Sequence, residues 1–378
     1  MPVEDPAVPV LGRRAFLGRL GAGGAALAAA GLLQGPLSAS AAATPVAPLG
    51  RLGRLARPAA AATTTVSLAL GWIDNVEFAG LWLAESRGYF ARQGITANIM
   101  GGGPSAPDPA VTVASGAADL GDTSNMTSLV QAIAKGNDFV LLGATYQVDP
   151  GCVVSLPSHP VRKPADLVGI KFLGQQGVQV QIDAVLKLAG LPQRYTFIPV
   201  GYTPEPLVQH QGQAFSAFVT NEVITLEQQG WKQGKDFLVT TWTELGLPAY
   251  SDIYFTTRRF LEANRPAVVR FMTAVAQGWE ANERLPASTA AKLAVDVYGK
   301  TLGLDLKQQI LENEAQRPYM VSADTRRHGL LWIDEALLAG PMYRALRASG
   351  VAKLPPASTI VDMSVLEEVY RGTTTVAL

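Results

Sequence analysis

The chain of 378 residues has one cysteine, Cys152, and three histidines, His159, His210 and His328. A lone cysteine excludes an internal disulfide framework, and these four residues show no zinc-ligand spacing. Charge is also sparse, at 16% of residues against 48% hydrophobic. Residues 1–62 hold six Arg and two acids, which leaves 25 basic and 29 acidic residues in the remainder, a net of −4. That balance provides neither the basic footprint of a nucleic-acid binder nor a polybasic segment for anionic lipid. Beyond the N-terminal region there is no apolar run of the roughly 18 residues that a membrane span requires. No internal repeat at a solenoid period is present.

What is present begins with an export pattern. Arg13-Arg14-Ala15-Phe16-Leu17 is followed by a Gly/Ala/Leu-rich run to Leu33 and by small residues from Ser38 to Ala43. This reads as a twin-arginine signal peptide over residues 1–43, removed near Ala41 or Ala43. No cysteine follows to carry a lipid anchor, so a periplasmic or secreted protein without a membrane span is expected after signal removal. Residues 44–63, rich in Ala, Pro, Gly and Arg without apolar period, read as a disordered linker.

From Thr64 onward, short apolar runs alternate with helical periodicity. Strands are expected near 66–70, 95–100, 118–121 and 139–144, then at 152–156, 171–173, 195–200 and 215–219, with helices at 79–90, 110–115, 124–135 and 178–189. From Tyr250 the pattern becomes mainly helical, with helices at 258–263, 267–282, 289–298, 306–315 and 329–349. Such alternation predicts an α/β chain of two doubly wound, parallel sheets. Residues 64–149 plus 250–378 are expected to form lobe 1, discontinuous in sequence, and residues 150–249 lobe 2, with a ligand cleft between them.

Ligands of such folds sit beyond the carboxyl ends of strands. The loop after the first strand carries Trp72, Asn75, Glu77 and Phe78. Trp72 offers a stacking face or a core ring, Asn75 a ligand amide or an Asx cap, and Glu77 a carboxylate for ring N–H groups or a first-turn helix acid. Thr123, Ser124 and Asn125 open a helix after another strand and either hold a polar ligand group or cap that helix. In lobe 2, Gln175 and Gln176 occupy the equivalent strand-to-helix loop. Tyr146 and Tyr250 lie on the two crossovers, as hinge, cleft wall or core. The Gly101-Gly102-Gly103-Pro104-Ser105 stretch reads as a loop and matches neither phosphate-binding fingerprint. These aromatic rings suit a planar heterocycle better than a sulfonate or nitrate, which would call for Arg, Lys or a helix terminus.

Leu70-Gly71-Trp72-Ile73-Asp74-Asn75-Val76-Glu77-Phe78, then Gly88-Tyr89-Phe90, Gly116-Ala117-Ala118-Asp119-Leu120-Gly121, Pro164-Ala165-Asp166-Leu167-Val168-Gly169, Asn221-Glu222 and Gly246-Leu247-Pro248-Ala249-Tyr250 occur in this order. The chain thereby resembles, over about residues 66–340, the solute-binding proteins of the thiamine-precursor (pyrimidine) and nitrate, sulfonate and taurine superfamily. The resemblance implies a type II periplasmic-binding-protein fold that delivers a small molecule to an ABC permease and its ATPase, with no cofactor. It also places Asn221 and Glu222 where pyrimidine-binding relatives set a carboxylate against the ring. It leaves open a thiamine pyrimidine precursor, riboflavin, or an alkyl sulfonate such as taurine as ligand. Asp74 and Val76-Glu77 depart from the first loop of the thiamine-precursor binders. The superfamily also implies an enzymatic alternative, a pyrimidine synthase or a desulfinase with a cysteine nucleophile. The first needs a cysteine-dense run that is absent, and Cys152 has only His159 near it in sequence, so an enzyme is not expected.

Overall fold

The computed structural model describes residues 63–103, 106–348, 350–351 and 353–376. The expected signal peptide, the linker up to residue 62, and Pro104 and Ser105 lie outside the described residues. Among the described residues no helix is long and apolar enough to cross a membrane.

Two five-stranded sheets organise the chain. The first contains β1 (Thr64–Ala69), β2 (Ile95–Met100), β3 (Leu120–Thr123), β4 (Phe139–Tyr146) and β10 (Ser251–Thr257), in the order β2-β1-β3-β10-β4. The second contains β5 (Gly151–Ser155), β6 (Lys171–Gly174), β7 (Thr196–Pro199), β8 (Ala214–Phe218) and β9 (Leu238–Thr241), in the order β7-β6-β8-β5-β9. Each sheet is mixed rather than wholly parallel: β10 runs antiparallel to β3 and β4, and β5 antiparallel to β8 and β9. The odd strand is in each case the first one after the chain has crossed from the other sheet, β4 to β5 and β9 to β10. A chain that leaves one sheet and enters the other directly, with no crossover helix to turn it around, arrives reversed.

Strands β9 and β10 are not among those expected from the sequence, and β10 is the more concealed of the two. Its seven residues, Ser-Asp-Ile-Tyr-Phe-Thr-Thr, include Ser251, Asp252 and Thr256, all essentially inaccessible, so burial does not track hydrophobicity there. The Thr256 hydroxyl is satisfied by donating to the Asp119 carbonyl at 2.6 Å. The expected helix over 79–90 is two helices, Ala79–Ser86 and Tyr89–Arg92, separated where Gly88 takes φ 68°. Two expected helices at 258–263 and 267–282 join into Arg258–Arg284 across a kink at Asn264, because Pro266 falls in the first turn of the second segment. The expected helix over 329–349 is broken. Gly329 takes φ 97°, residues 329–334 run without helix, and Leu331 accepts a backbone hydrogen bond from Ala144 of β4 before short turns resume.

One large apolar cluster surrounds the first sheet and takes in the helices of the C-terminal third. The second sheet has a smaller cluster on each face. Val153, Phe172 and Ala214 face one way, and Cys152, Val154, Leu173, Phe215 and Ala217 the other, as the period of two requires. On the first sheet, helix Ala79–Ser86 crosses helix Arg258–Arg284 at a glycine contact. A Cβ on Gly278 would lie 1.9 Å from the Gly80 carbonyl oxygen, and one on Gly80 would lie 2.3 Å from the Trp279 ring. Gly278→Ala is therefore expected to destabilise the fold by roughly 3 kcal/mol despite alanine's better helix propensity, which denaturant unfolding measures. An unchanged midpoint would mean that the two helices do not cross this closely.

Candidate functional site

Four strands end on one cavity of about 490 Å³, a size suited to a small ligand. The loop after β1 contributes Gly71, Trp72 and Glu77, and the loop after β3 contributes Thr123, Ser124 and Asn125. From the second sheet, the loop after β6 contributes Gln175, Gln176 and Gly177, and the segment after β8 contributes Asn221 and Glu222. Both sheets thus place their carboxyl ends at the same cavity, the position at which α/β sheets collect ligands.

Nine of the residues singled out from sequence line this cavity: Trp72, Glu77, Thr123, Ser124, Asn125, Gln175, Gln176, Asn221 and Glu222. Four stand behind it and are buried. Asn75 caps the Val76–Phe78 turn by accepting from Glu77 N–H and donates its Nδ2 to Glu312 Oε1 at 3.0 Å. Phe78 packs edge-on against Trp82 inside the first core. Tyr146 donates its hydroxyl to Gln316 Oε1 at 2.6 Å. Tyr250, expected on the crossover, uses its hydroxyl to accept from Asp334 N–H at 3.0 Å. For these four the capping and core readings describe the observed contacts.

Among the lining residues, Asn125 serves two purposes. Its Oδ1 caps helix Met126–Ala134 by accepting from Ser128 N–H, and its Nδ2 reaches across the cleft to the Gly177 carbonyl at 3.4 Å. Gln175 accepts from the Ser216 hydroxyl and donates to the Gly201 carbonyl, which fixes its amide. Glu222 accepts from Phe218 N–H at 2.7 Å through Oε2. Asp108, Gln181, Ser216, Phe218 and Trp242 also line the cavity and were not singled out from sequence. Phe218 and Trp242 sit at or beyond strand ends and look like any core aromatic in sequence. At the cleft, Trp72 meets Tyr202 of the second half edge to face, with ring centroids 6.4 Å apart.

The electrostatics are one-sided. Among the described residues the lining carries Glu77, Asp108 and Glu222 but no Lys, Arg or His. Behind it lie Asp122, Asp149, Asp252 and Glu312, each at most 2% exposed. Asp108 is exposed; the other six, Glu77, Glu222, Asp122, Asp149, Asp252 and Glu312, are buried, and none of them forms an ion pair among the described residues. Both Asp122 oxygens and Asp252 Oδ2 lack any hydrogen-bond partner there. A carboxylate stripped of water and without a cation is biased toward its neutral form. Burial accordingly pushes Asp122 up to about 8, and Asp149 and Glu222 up to about 7. Glu77 is raised well above the usual range by burial and by the facing Asp252, Glu312, Asp122 and Glu222.

A cavity between two α/β halves, walled by loops from the carboxyl ends of strands in both, defines the periplasmic-binding-protein fold class. The chain belongs to the NMT1/THI5-like family, whose model matches residues 75–288. It is 25% identical over 228 residues to the formylaminopyrimidine-binding protein of Halalkalibacterium halodurans, an alignment covering 58% of this chain and 66% of that protein, just under two thirds of the relative's length. A solved structure from Bordetella bronchiseptica RB50 matches with TM-score 0.66 at 20% identity, over 81% of this chain and 97% of that one. The periplasmic aliphatic sulphonate binding protein of Escherichia coli matches with TM-score 0.51 at 18% identity, over 79% and 92%. The desulfurization enzyme DSZB shares the fold as well, with TM-score 0.50 at 11% identity over 81% and 99%.

The buried acids set a pH dependence. Their folded pKa values lie above the unfolded ones, so between about pH 4 and pH 8 the folded chain binds more protons and its stability falls as pH rises. The thermal midpoint is expected to be higher near about pH 5 than near about pH 8.5, and Asp122→Asn is expected to flatten that fall and raise the midpoint at the alkaline end. A midpoint that climbs toward the alkaline end in the wild type would contradict a protonated cluster.

Proposed function

We propose that the protein is the extracytoplasmic solute-binding component of an ABC importer, that it captures a small planar nitrogen heterocycle of the thiamine-pyrimidine type, and that a permease and ATPase receive the ligand from it. One observation carries the choice of ligand: the cavity presents carboxyl groups from both halves, Glu77 and Glu222, and among the described residues its lining has no basic side chain. A heterocycle with exocyclic amino N–H groups supplies donors to such carboxyls and a face to Trp72. An alkyl sulfonate or nitrate brings a full negative charge. In this cavity it would meet acids with only amides, hydroxyls and backbone N–H groups to offset them, and the charge-assisted donors that usually hold such anions are missing. The name of the Halalkalibacterium relative points to the same ligand class. Export by the twin-arginine route fits this assignment and belongs to the same proposal.

The enzymatic alternative requires a thiolate. Cys152 is wholly buried in β5, where burial raises its pKa and the neighbouring Glu222 and Asp149 raise it further. That environment disfavours the nucleophilic form.

Calorimetric titration with hydroxymethylaminopyrimidine, formylaminopyrimidine, riboflavin and taurine tests the assignment. An aminopyrimidine is expected to bind, taurine is not, and Trp72→Ala and Glu222→Gln are each expected to weaken the pyrimidine by roughly tenfold or more, on the scale of one buried charge-assisted or stacking contact. Taurine binding in preference to the pyrimidines would overturn the ligand class. Turnover of a pyrimidine that Cys152→Ser abolishes would overturn the binding role itself.

A further inference from the structure

Helix Leu306–Gln316 has its polar side turned inward. Gln308, Gln309, Glu312, Asn313 and Gln316 are at most 7% exposed, and the helix packs against both the Val76–Phe78 turn after β1 and helix Glu222–Gln228 after β8. It therefore touches the candidate site from both sheets at once. Its side chains form a closed set of hydrogen bonds. Gln308 Nε2 donates to Asn221 Oδ1 at 2.9 Å and to Glu312 Oε2 at 3.1 Å. Gln309 Nε2 donates to Gln308 Oε1 at 2.6 Å and to Glu312 Oε2 at 2.9 Å, while its Oε1 accepts from Val76 N–H at 2.7 Å. Glu312 Oε1 accepts from Asn75 Nδ2. Both glutamine amides spend both of their protons in this set, which leaves them a single hydrogen-bonded arrangement.

We infer that Gln308 and Glu312 form a brace between the two halves that sets the register of Asn221 and Glu222 against the Asn75–Glu77 turn and so positions the walls of the cavity. Asn221 lines the cavity, and with its Oδ1 held by Gln308 the end of its amide left for a ligand is the donor Nδ2. Glu222 beside it offers an acceptor. The second half thus presents a donor and an acceptor on consecutive residues, which complements a ring nitrogen flanked by an amino group. A bond from helix Leu306–Gln316 to Asn221 is made only while the two halves hold this arrangement, so the brace also favours the arrangement in which the cavity is walled on both sides. Gln308 acts through Asn221 and is a positioning residue. This inference rests on the cavity being the ligand site, but the brace itself is measurable without ligand.

The test is a double-mutant cycle read by electron–electron distance measurement. Spin labels are placed on the exposed positions Lys135, after β3, and Lys232, after β8, by Lys135→Cys and Lys232→Cys, with the buried Cys152 left in place. Distances are recorded with and without hydroxymethylaminopyrimidine. Gln308→Ala and Asn221→Ala are each expected to shift the distance distribution between the halves toward longer values, and the double variant is expected to shift it no further. Gln308→Ala, which removes no lining side chain, is also expected to speed dissociation of the pyrimidine by roughly three- to tenfold, the scale of one hydrogen bond. A purely structural role would lower the thermal midpoint and leave the distances unmoved. Unchanged distances in both conditions, or additive shifts from the two substitutions, overturn the brace. Shifted distances in a protein that does not bind the pyrimidine uphold the brace and remove the ligand assignment.

Discussion

Six carboxyl groups are buried at the junction of the two sheets, and none of them meets a cation among the described residues. This is the constraint on which the rest of the structure turns. Burial raises the pKa of every one of them, so the cluster persists by holding protons or by drawing amide donors around it. Glu312 takes the second route, with three amide donors from Asn75, Gln308 and Gln309, although burial still pushes its pKa up. Asp122 and Asp252 take the first. Glu77 and Glu222 stand between the two, since each has a face on the cavity where a ligand can supply the missing donors.

The sheet topology explains why acids from distant parts of the sequence meet. The chain crosses between sheets twice, after β4 and after β9, and both crossovers bring polar segments to the junction: Asp149 beside the first, Asp252 at the start of β10 beside the second. The loops after β1, β3, β6 and β8 converge on the same junction because the co-directional strands of the two sheets end there. The C-terminal third then closes the back of the junction with a helix whose inward face is glutamine, asparagine and glutamate in place of leucine. A conventional apolar helix at 306–316 would remove the partners of Asn75 Nδ2, Val76 N–H and Asn221 Oδ1.

Much of this was legible in the sequence. The strand-to-helix loops announce themselves through glycine, asparagine, glutamine and small hydroxyl residues directly after short apolar runs, which is why Trp72, Thr123–Asn125 and Gln175–Gln176 fall at strand ends in the sequence pattern, with Asn221–Glu222 placed there by the family resemblance as well. Periodicity could not separate lining from backing residues within one loop. Asn75 and Glu77 are two residues apart and both polar, yet one is tied to Glu312 while the other opens on the cavity. The same limit hid β10 and the orientation of helix Leu306–Gln316, because both bury polar side chains and every pattern argument assumes that polar means exposed. Phe218 and Trp242 escaped for the opposite reason: an apolar residue near a strand end gives no sign of whether it faces a core or a ligand.

We propose that this acid-lined cavity, without a basic side chain among the described residues, holds a neutral or cationic nitrogen heterocycle between the two halves. A crystal structure of the protein grown with hydroxymethylaminopyrimidine tests it most directly. The ring is expected inside the cavity against Trp72, with an amino nitrogen within about 3 Å of the Glu222 carboxyl, the ordinary length of such a hydrogen bond. A cavity occupied instead by an anion, or a pyrimidine bound outside the space between Glu77 and Glu222, would contradict it.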